Sequence, residues 1–291
     1  MMSPQPDAPA QFRPARRPWW AVLLIVGFVA ASVAGVLAQR SGLIARVGPA
    51  REYVALSALR GKRAAVLVCF GQSNAANYGE PRAACSGPVY SWHLGKLSRA
   101  ADPLPGAGGD GGSVWTRLGP RLLGEKPKYE AVVIASIAIK GTSVDQWAPG
   151  GEHHPSLIST LRELQSADLA PTHLLWQQGE NEALQGGDPD AYRDRFGAMA
   201  AAIRAAGVTV PIYVAKASRN YGNVSEPIRA AQAALVNQEA RVLAGPDADL
   251  LGDDCRLPDR THLNARGLDR CAQAWAVAIL RRQAGSSESA Q

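Results

Sequence analysis

The chain has 291 residues and a formal net charge of +6. Four Arg and one Asp fall in residues 1–40, so the remainder carries +3, from 27 basic and 24 acidic side chains. Those basic residues are scattered rather than clustered, which argues against nucleic acid as a partner. Roughly 230 residues follow the leader and linker, enough for one α/β domain with a sizeable core.

Residues 1–18 are rich in Pro and Arg and read as a disordered basic N-terminus. Trp19–Ala38 is a run of twenty uncharged residues behind Arg13, Arg16 and Arg17. Such a run can cross a hydrocarbon layer roughly 30 Å thick, and the arginines place its N-terminal side in the cytoplasm. Val36-Leu37-Ala38 also resembles a signal-peptide cleavage site. Both readings export the domain, either anchored in the cell membrane facing the periplasm or exterior, or secreted. Residues 39–63 form a linker in which Glu52–Leu59 is expected to make a short helix.

The domain is expected over 64–282, with a loose tail at 283–291. Ala64–Phe70 is short, apolar and stopped by Gly71, as a fully buried strand would be. Residues 78–112 read as loop, with the glycine-rich stretch 105–112 its most flexible part. No Gly-Lys-Ser/Thr follows those glycines, so a phosphate loop is disfavoured. Ser113 can cap a helix to about Leu123. Tyr129–Ile139 reads as a second buried strand, Pro155–Ser166 as a helix and His173–Gln177 as a third strand. Asp188-Pro189 opens a helix to about Ala206. Val208–Ala215 is a strand placed near an edge by Pro211. Pro227–Leu243 reads as a helix, 248–252 as a brief last strand, and Asn264–Arg282 as the closing helix. Strands alternating with helices imply a mostly parallel sheet covered on both faces, with ligand sites beyond the C-terminal strand ends. Ser73, Gly141 and Gln178 each follow such an end.

Four cysteines (Cys69, Cys85, Cys255 and Cys271) in an exported chain permit disulfides. A Cys255–Cys271 bridge would brace the segment between them; four buried thiols are the alternative, and Cys69 reads as one. His153 and His154 are adjacent rather than helically spaced and no Cys-x-x-Cys occurs, so a structural metal is not expected.

Four separated stretches carry chemistry: Gly71-Gln72-Ser73-Asn74, Lys140-Gly141-Thr142-Ser143, Trp176-Gln177-Gln178-Gly179-Glu180 and Asp259-Arg260-Thr261-His262. A serine hydroxyl needs a base to become a nucleophile, and His262 can supply it near neutral pH. An acid must hold the imidazole tautomer; Asp259 and Glu180 are both candidates. The amides of Ser73 and Gly141 and the side chain of Gln178 can donate to a tetrahedral oxyanion. The serine does not sit in Gly-x-Ser-x-Gly, since Ala75 replaces the second glycine, which argues against a lipase-type elbow.

These blocks, in this order, resemble the SGNH (GDSL-like) hydrolase superfamily and specifically its sialate O-acetylesterase and acetylxylan esterase branch. The resemblance spans residues 64–280. It implies a flavodoxin-like three-layer α/β/α sandwich, no metal or organic cofactor, Ser73 as nucleophile, His262 as base, and Ser73, Gly141 and Gln178 as the oxyanion hole. Gln72, Asn74 and Trp147 fall in the same blocks and are expected to contact substrate. The implied activity is a serine esterase acting on an acetylated carbohydrate. An envelope polysaccharide O-acetyltransferase with the same triad, and a non-catalytic sugar-binding domain, are the alternatives. The loops 78–112 and 148–155 hold no motif for sialic acid or xylan.

Overall fold

A computed structural model of the protein describes residues 50–124 and 128–288. The uncharged run 19–38, the segments on either side of it up to residue 49, and the last three residues lie outside them. Among the described residues no helix is long and apolar enough to cross a membrane.

The described residues from Arg51 onward form one compact unit, centred on a mixed eight-stranded sheet. Its strands are β1 (Tyr53–Val54), β2 (Ala64–Gly71), β3 (Val89–His93), β4 (Lys96–Arg99), β5 (Ala131–Ser136), β6 (His173–Gln177), β7 (Ile212–Lys216) and β8 (Val242–Asp247). The spatial order is β1-β4-β3-β5-β2-β6-β7-β8. β4 runs antiparallel to β3 and β1, whereas β3, β5, β2, β6, β7 and β8 are mutually parallel. With the β3–β4 hairpin set aside, the strands β5-β2-β6-β7-β8 stand in the doubly wound order 2-1-3-4-5. The chain reverses its winding between β2 and β6, and a crevice forms beyond the C-terminal ends there.

Alternation along β2 builds the two cores. Leu67 and Cys69 face α1 (Val114–Leu123) and α6 (Ala265–Glu288), meeting Trp115, Leu118, Cys271 and Trp275. Val66, Val68 and Phe70 face α2 (His154–Ser166), α4 (Pro189–Ala205) and α5 (Glu226–Ala234), meeting Leu161, Phe196 and Met199. Each large apolar side chain sealed this way contributes about 1.5–3 kcal/mol. The expected sandwich layers are therefore present.

Several expected elements differ. Glu52–Leu59 is not one helix: Tyr53–Val54 pairs with β4 and Leu56–Leu59 makes a 3₁₀ turn, so part of the expected linker belongs to the domain. The β3–β4 hairpin lies inside the expected loop 78–112. Its two-residue turn, Leu94-Gly95, has φ of 47° and 72°, which suits strand twist but carries no Asn-Gly or Asp-Gly signature. The glycines at 105–112 are bonded onto the loops after β2 and β5: Gly111 donates to Asn77 O at 2.7 Å and Gly108 to Ala138 O at 2.9 Å. They permit close backbone approach. The expected helix 227–243 stops at Ala234, and Val242 and Leu243 open the edge strand β8. Residues 248–250 form a 3₁₀ turn, not a strand. All four cysteines are free thiols, so no Cys255–Cys271 bridge exists; both side chains pack in the α1–α6 core.

Candidate active site

The nucleophile segment is shaped by Gly71. β2 and β6 run so close at this register that a Cβ on Gly71 would sit 2.1 Å from Gln177 O, and its φ is +128°. Only glycine meets both conditions. Beyond it, Gln72 is extended and Ser73–Ala75 close a single 3₁₀ turn. Trp115 Nε1 pins that turn by donating to Ala75 O at 2.6 Å. Ser73 is thus held at the C-terminal end of β2, almost wholly enclosed.

His262 sits on the loop before α6. Its Nδ1 lies 2.6 Å from Asp259 Oδ2, while Asp259 Oδ1 accepts from the amides of Thr261 and His262, both at 2.9 Å. Burial works against the Asp259 charge, but these two amides and the ring outweigh it and hold the carboxyl below its usual range. With Nδ1–H donated to the carboxylate, Nε2 carries the lone pair. Nε2 has no hydrogen-bond partner. Tyr78 stacks on the ring with centroids 5.4 Å apart, and Lys140 Nζ lies 5.2 Å from the centre of the Tyr78 ring.

Asn74 ties the two loops together. Its amide donates to Thr261 O at 3.2 Å and to Glu180 Oε1 at 2.8 Å. Arg256, buried, donates to the same Thr261 carbonyl at 2.7 Å and to Ala248 O and Leu251 O. The residue after Ser73 and the residue before His262 are therefore locked together.

Glu180 opens the short helix α3 (Glu180–Gln185) and occupies a different place from Asp259. It is buried beneath Asn74, its second oxygen has no partner, and it makes no hydrogen bond to His262. Burial pushes its carboxyl up to about 7, against the opposing bond from Asn74. Of the two candidate acids, only Asp259 touches the imidazole.

Gly141 follows β5 with φ +70°, and an added Cβ there would meet nothing within 4 Å, so its backbone borders open space. A cavity of about 370 Å³ opens beside it, lined also by Ser143, Asp145, Asn181 and Glu182. Larger surface grooves run along α2 and between α4 and α5, remote from these residues.

Two other expectations meet a different arrangement. Trp147 is fully buried, 6.0 Å from both Phe70 and Trp176 by ring centroids, and its Nε1 donates to Thr142 Oγ1 at 3.0 Å. It supports the Gly141 loop from below and presents no surface to a substrate. Gln178 Nε2 faces three acceptors: Thr142 O at 2.9 Å, Gln72 Oε1 at 3.2 Å, and Glu182 Oε2. Its two hydrogens are thus taken up inside the protein, and Oε1 is buried without a partner. Burial raises the Glu182 carboxyl above its usual range. Tyr78, Glu182 and Arg256, which pack on or bond to these groups, were not legible as site residues. Glu182 sits one helical turn after Gln178, a spacing that could have signalled it; nothing local marks Arg256.

The profile of a family described as carbohydrate esterase, sialic acid-specific acetylesterase, matches residues 63–281. No curated relative matches the chain. Among solved structures, a protein from Arabidopsis thaliana superposes with a TM-score of 0.62 at 18% identity, covering 76% of this chain and 98% of its own. NanS superposes with a TM-score of 0.53 at 15% identity, covering 76% and 98%. At these identities the superpositions speak to the fold.

Proposed function

Since the chain belongs to the sialic acid-specific acetylesterase family of carbohydrate esterases and is a carboxylic ester hydrolase, we propose that it removes O-acetyl groups from a carbohydrate through an acetyl-enzyme on Ser73. As Ser73 Oγ bonds to the acetyl carbon, its proton passes to His262 Nε2, and the carbonyl oxygen becomes the oxyanion held by the Ser73 and Gly141 amides. The ester C–O bond then breaks, and the departing sugar oxygen takes the proton from Nε2. Water attacks the acetyl-serine while Nε2 accepts its proton; the Oγ–C bond breaks, Oγ recovers that proton, and acetate leaves. Asp259 keeps the imidazole in the tautomer this requires and stabilises the imidazolium.

The observation that carries the reading is the state of His262: Nδ1 held at 2.6 Å by Asp259, Nε2 without a partner. The uncharged run 19–38 behind three arginines supports an exported domain acting near the cell envelope. The test is acetate release by the full-length protein from 4-nitrophenyl acetate and from an acetylated glycan. Release from both, abolished in Ser73→Ala, is expected. A folded wild type that turns over neither substrate, or a Ser73→Ala variant that still does, would refute it.

A further inference from the structure

We infer that the side-chain donor to the oxyanion is the Nε2 group of Gln72, and that Gln178 serves to hold Gln72 in place. This rests on the acetyl-enzyme reading above and refines which atoms surround its tetrahedral intermediate.

The blocks around Ser73 contain four side-chain amides, each with two hydrogens to give; that of Gln177 is turned toward α6, its oxygen accepting from Trp275 Nε1 at 3.0 Å. Asn74 spends both, on Glu180 Oε1 and Thr261 O. Gln178 faces Thr142 O, Gln72 Oε1 and Glu182 Oε2 and has none left over. Rotating the Gln178 amide by half a turn would set its oxygen against those three acceptor oxygens, each of which would lose a donor while buried. The orientation seen is therefore the one the surroundings dictate.

Gln72 is the converse. Its Oε1 accepts from Gly179 N at 3.3 Å, Asn181 N at 3.1 Å and Gln178 Nε2 at 3.2 Å. Two of those donors are backbone amides, so the oxygen end of the side chain is fixed by groups that can only donate. Nε2 must then point away from them. It has no acceptor among the described residues, and unlike Gln178 Oε1 it is not sealed from solvent. The residue as a whole is only 3% exposed, so this nitrogen is held by the fold with its hydrogens unspent.

Position supports the same assignment. Gln72 directly precedes Ser73, and its own backbone is tied to β6 through Gln72 N–H donating to Gln177 O at 3.1 Å. Through Gln178 it is linked to Thr142 O, the residue after Gly141. Gln72 is thus next to Ser73 in the chain and joined through Gln178 to the residue after Gly141, the two residues whose amides are assigned to the oxyanion. Three bonds on its oxygen hold it there before substrate arrives, so little reorganisation is required as charge develops. Glu182 completes the arrangement by accepting from both Gln178 and Val144 N.

The experiment compares wild type, Gln72→Glu, Gln72→Met and Ser73→Ala on 4-nitrophenyl acetate. Gln72→Glu keeps an oxygen for Gly179 and Asn181 but removes the donor; Gln72→Met removes both. A catalytic donor predicts a fall in kcat of about 100- to 1,000-fold in both variants, with KM within a few-fold. If Gln72 only braced the loop after β6, Gln72→Glu would keep kcat and Gln72→Met would lose thermal stability. Should either variant fail to fold, the crystal structure of wild type phosphonylated on Ser73 by a 4-nitrophenyl alkylphosphonate, with 4-nitrophenolate as the leaving group, decides the matter. Gln72 Nε2 within about 3 Å of the phosphonyl oxygen is expected; Gln178 Nε2 in that place overturns the assignment. Loss of activity in the Gln72 variants is read only against a wild type that works and a Ser73→Ala variant that does not. Failure of the esterase reading itself is therefore seen separately.

Discussion

Replacing Asp259 with Asn separates the two candidate acids. Asn keeps an oxygen for the Thr261 and His262 amides, both bonded at 2.9 Å in the native loop, so the loop should keep its shape. What changes lies opposite Nδ1, 2.6 Å away: an NH₂ group replaces the carboxylate oxygen. Nδ1 must then accept instead of donate, which puts the ring proton on Nε2, the atom that has to take the proton of Ser73. The wrong tautomer costs about 10⁴-fold in kcat where a buried triad acid is changed in this way, or about 5 kcal/mol of transition-state stabilisation. Glu180→Gln leaves the tautomer alone, because Glu180 has no bond to His262 and Gln can still accept from Asn74. Its kcat should fall by less than about tenfold, well short of the loss of a triad acid. The assay is the initial rate of 4-nitrophenyl acetate hydrolysis at pH 8, with thermal melts to show that both variants fold. A folded Asp259→Asn variant within tenfold of wild type, beside a Glu180→Gln variant that is inactive, would refute the assignment.

Glu180 should instead govern stability. Its folded carboxyl titrates at about 7, above the ordinary 4.5. The fold therefore favours the protonated form, and that contribution is complete below about 4.5 and lost as pH rises through 7. The difference amounts to roughly 3 kcal/mol, so urea melts of Glu180→Gln should lose less stability between pH 5 and pH 8 than wild type; parallel losses would contradict this. Trp147→Ala should cost about 3–5 kcal/mol by leaving a void against Phe70 and Trp176. A Trp147→Phe variant should keep KM within threefold; a large rise in KM with unchanged stability would return Trp147 to the substrate surface.

Local pattern specified the central strands and the helix before β7. The apolar run ending at Gly71, the strand His173–Gln177 and the Asp188-Pro189 helix start need only burial on both faces, a cap and a ring-fixed φ, all properties of neighbouring residues. The places of Ser73 and Gly141 beyond the ends of β2 and β5 were legible for a related reason, since each follows an apolar run that a glycine closes. The hairpin β3–β4 and the edge strand β8 were not legible. Leu94-Gly95 is an unusual pair for its turn, and Val242–Asp247 follows an alanine-rich helix without β-branched residues beyond Val242; its pairing with β7 supplies what propensity does not. Only the tertiary structure set Asp259 and not Glu180 against the His262 ring, put Trp147 in the core, and spent the amide of Gln178 while leaving that of Gln72 without an acceptor among the described residues. Each depends on which groups meet across strands and loops far apart in the chain. A side chain's type states what hydrogen bonds it can make; only its neighbours in space determine which remain to be made.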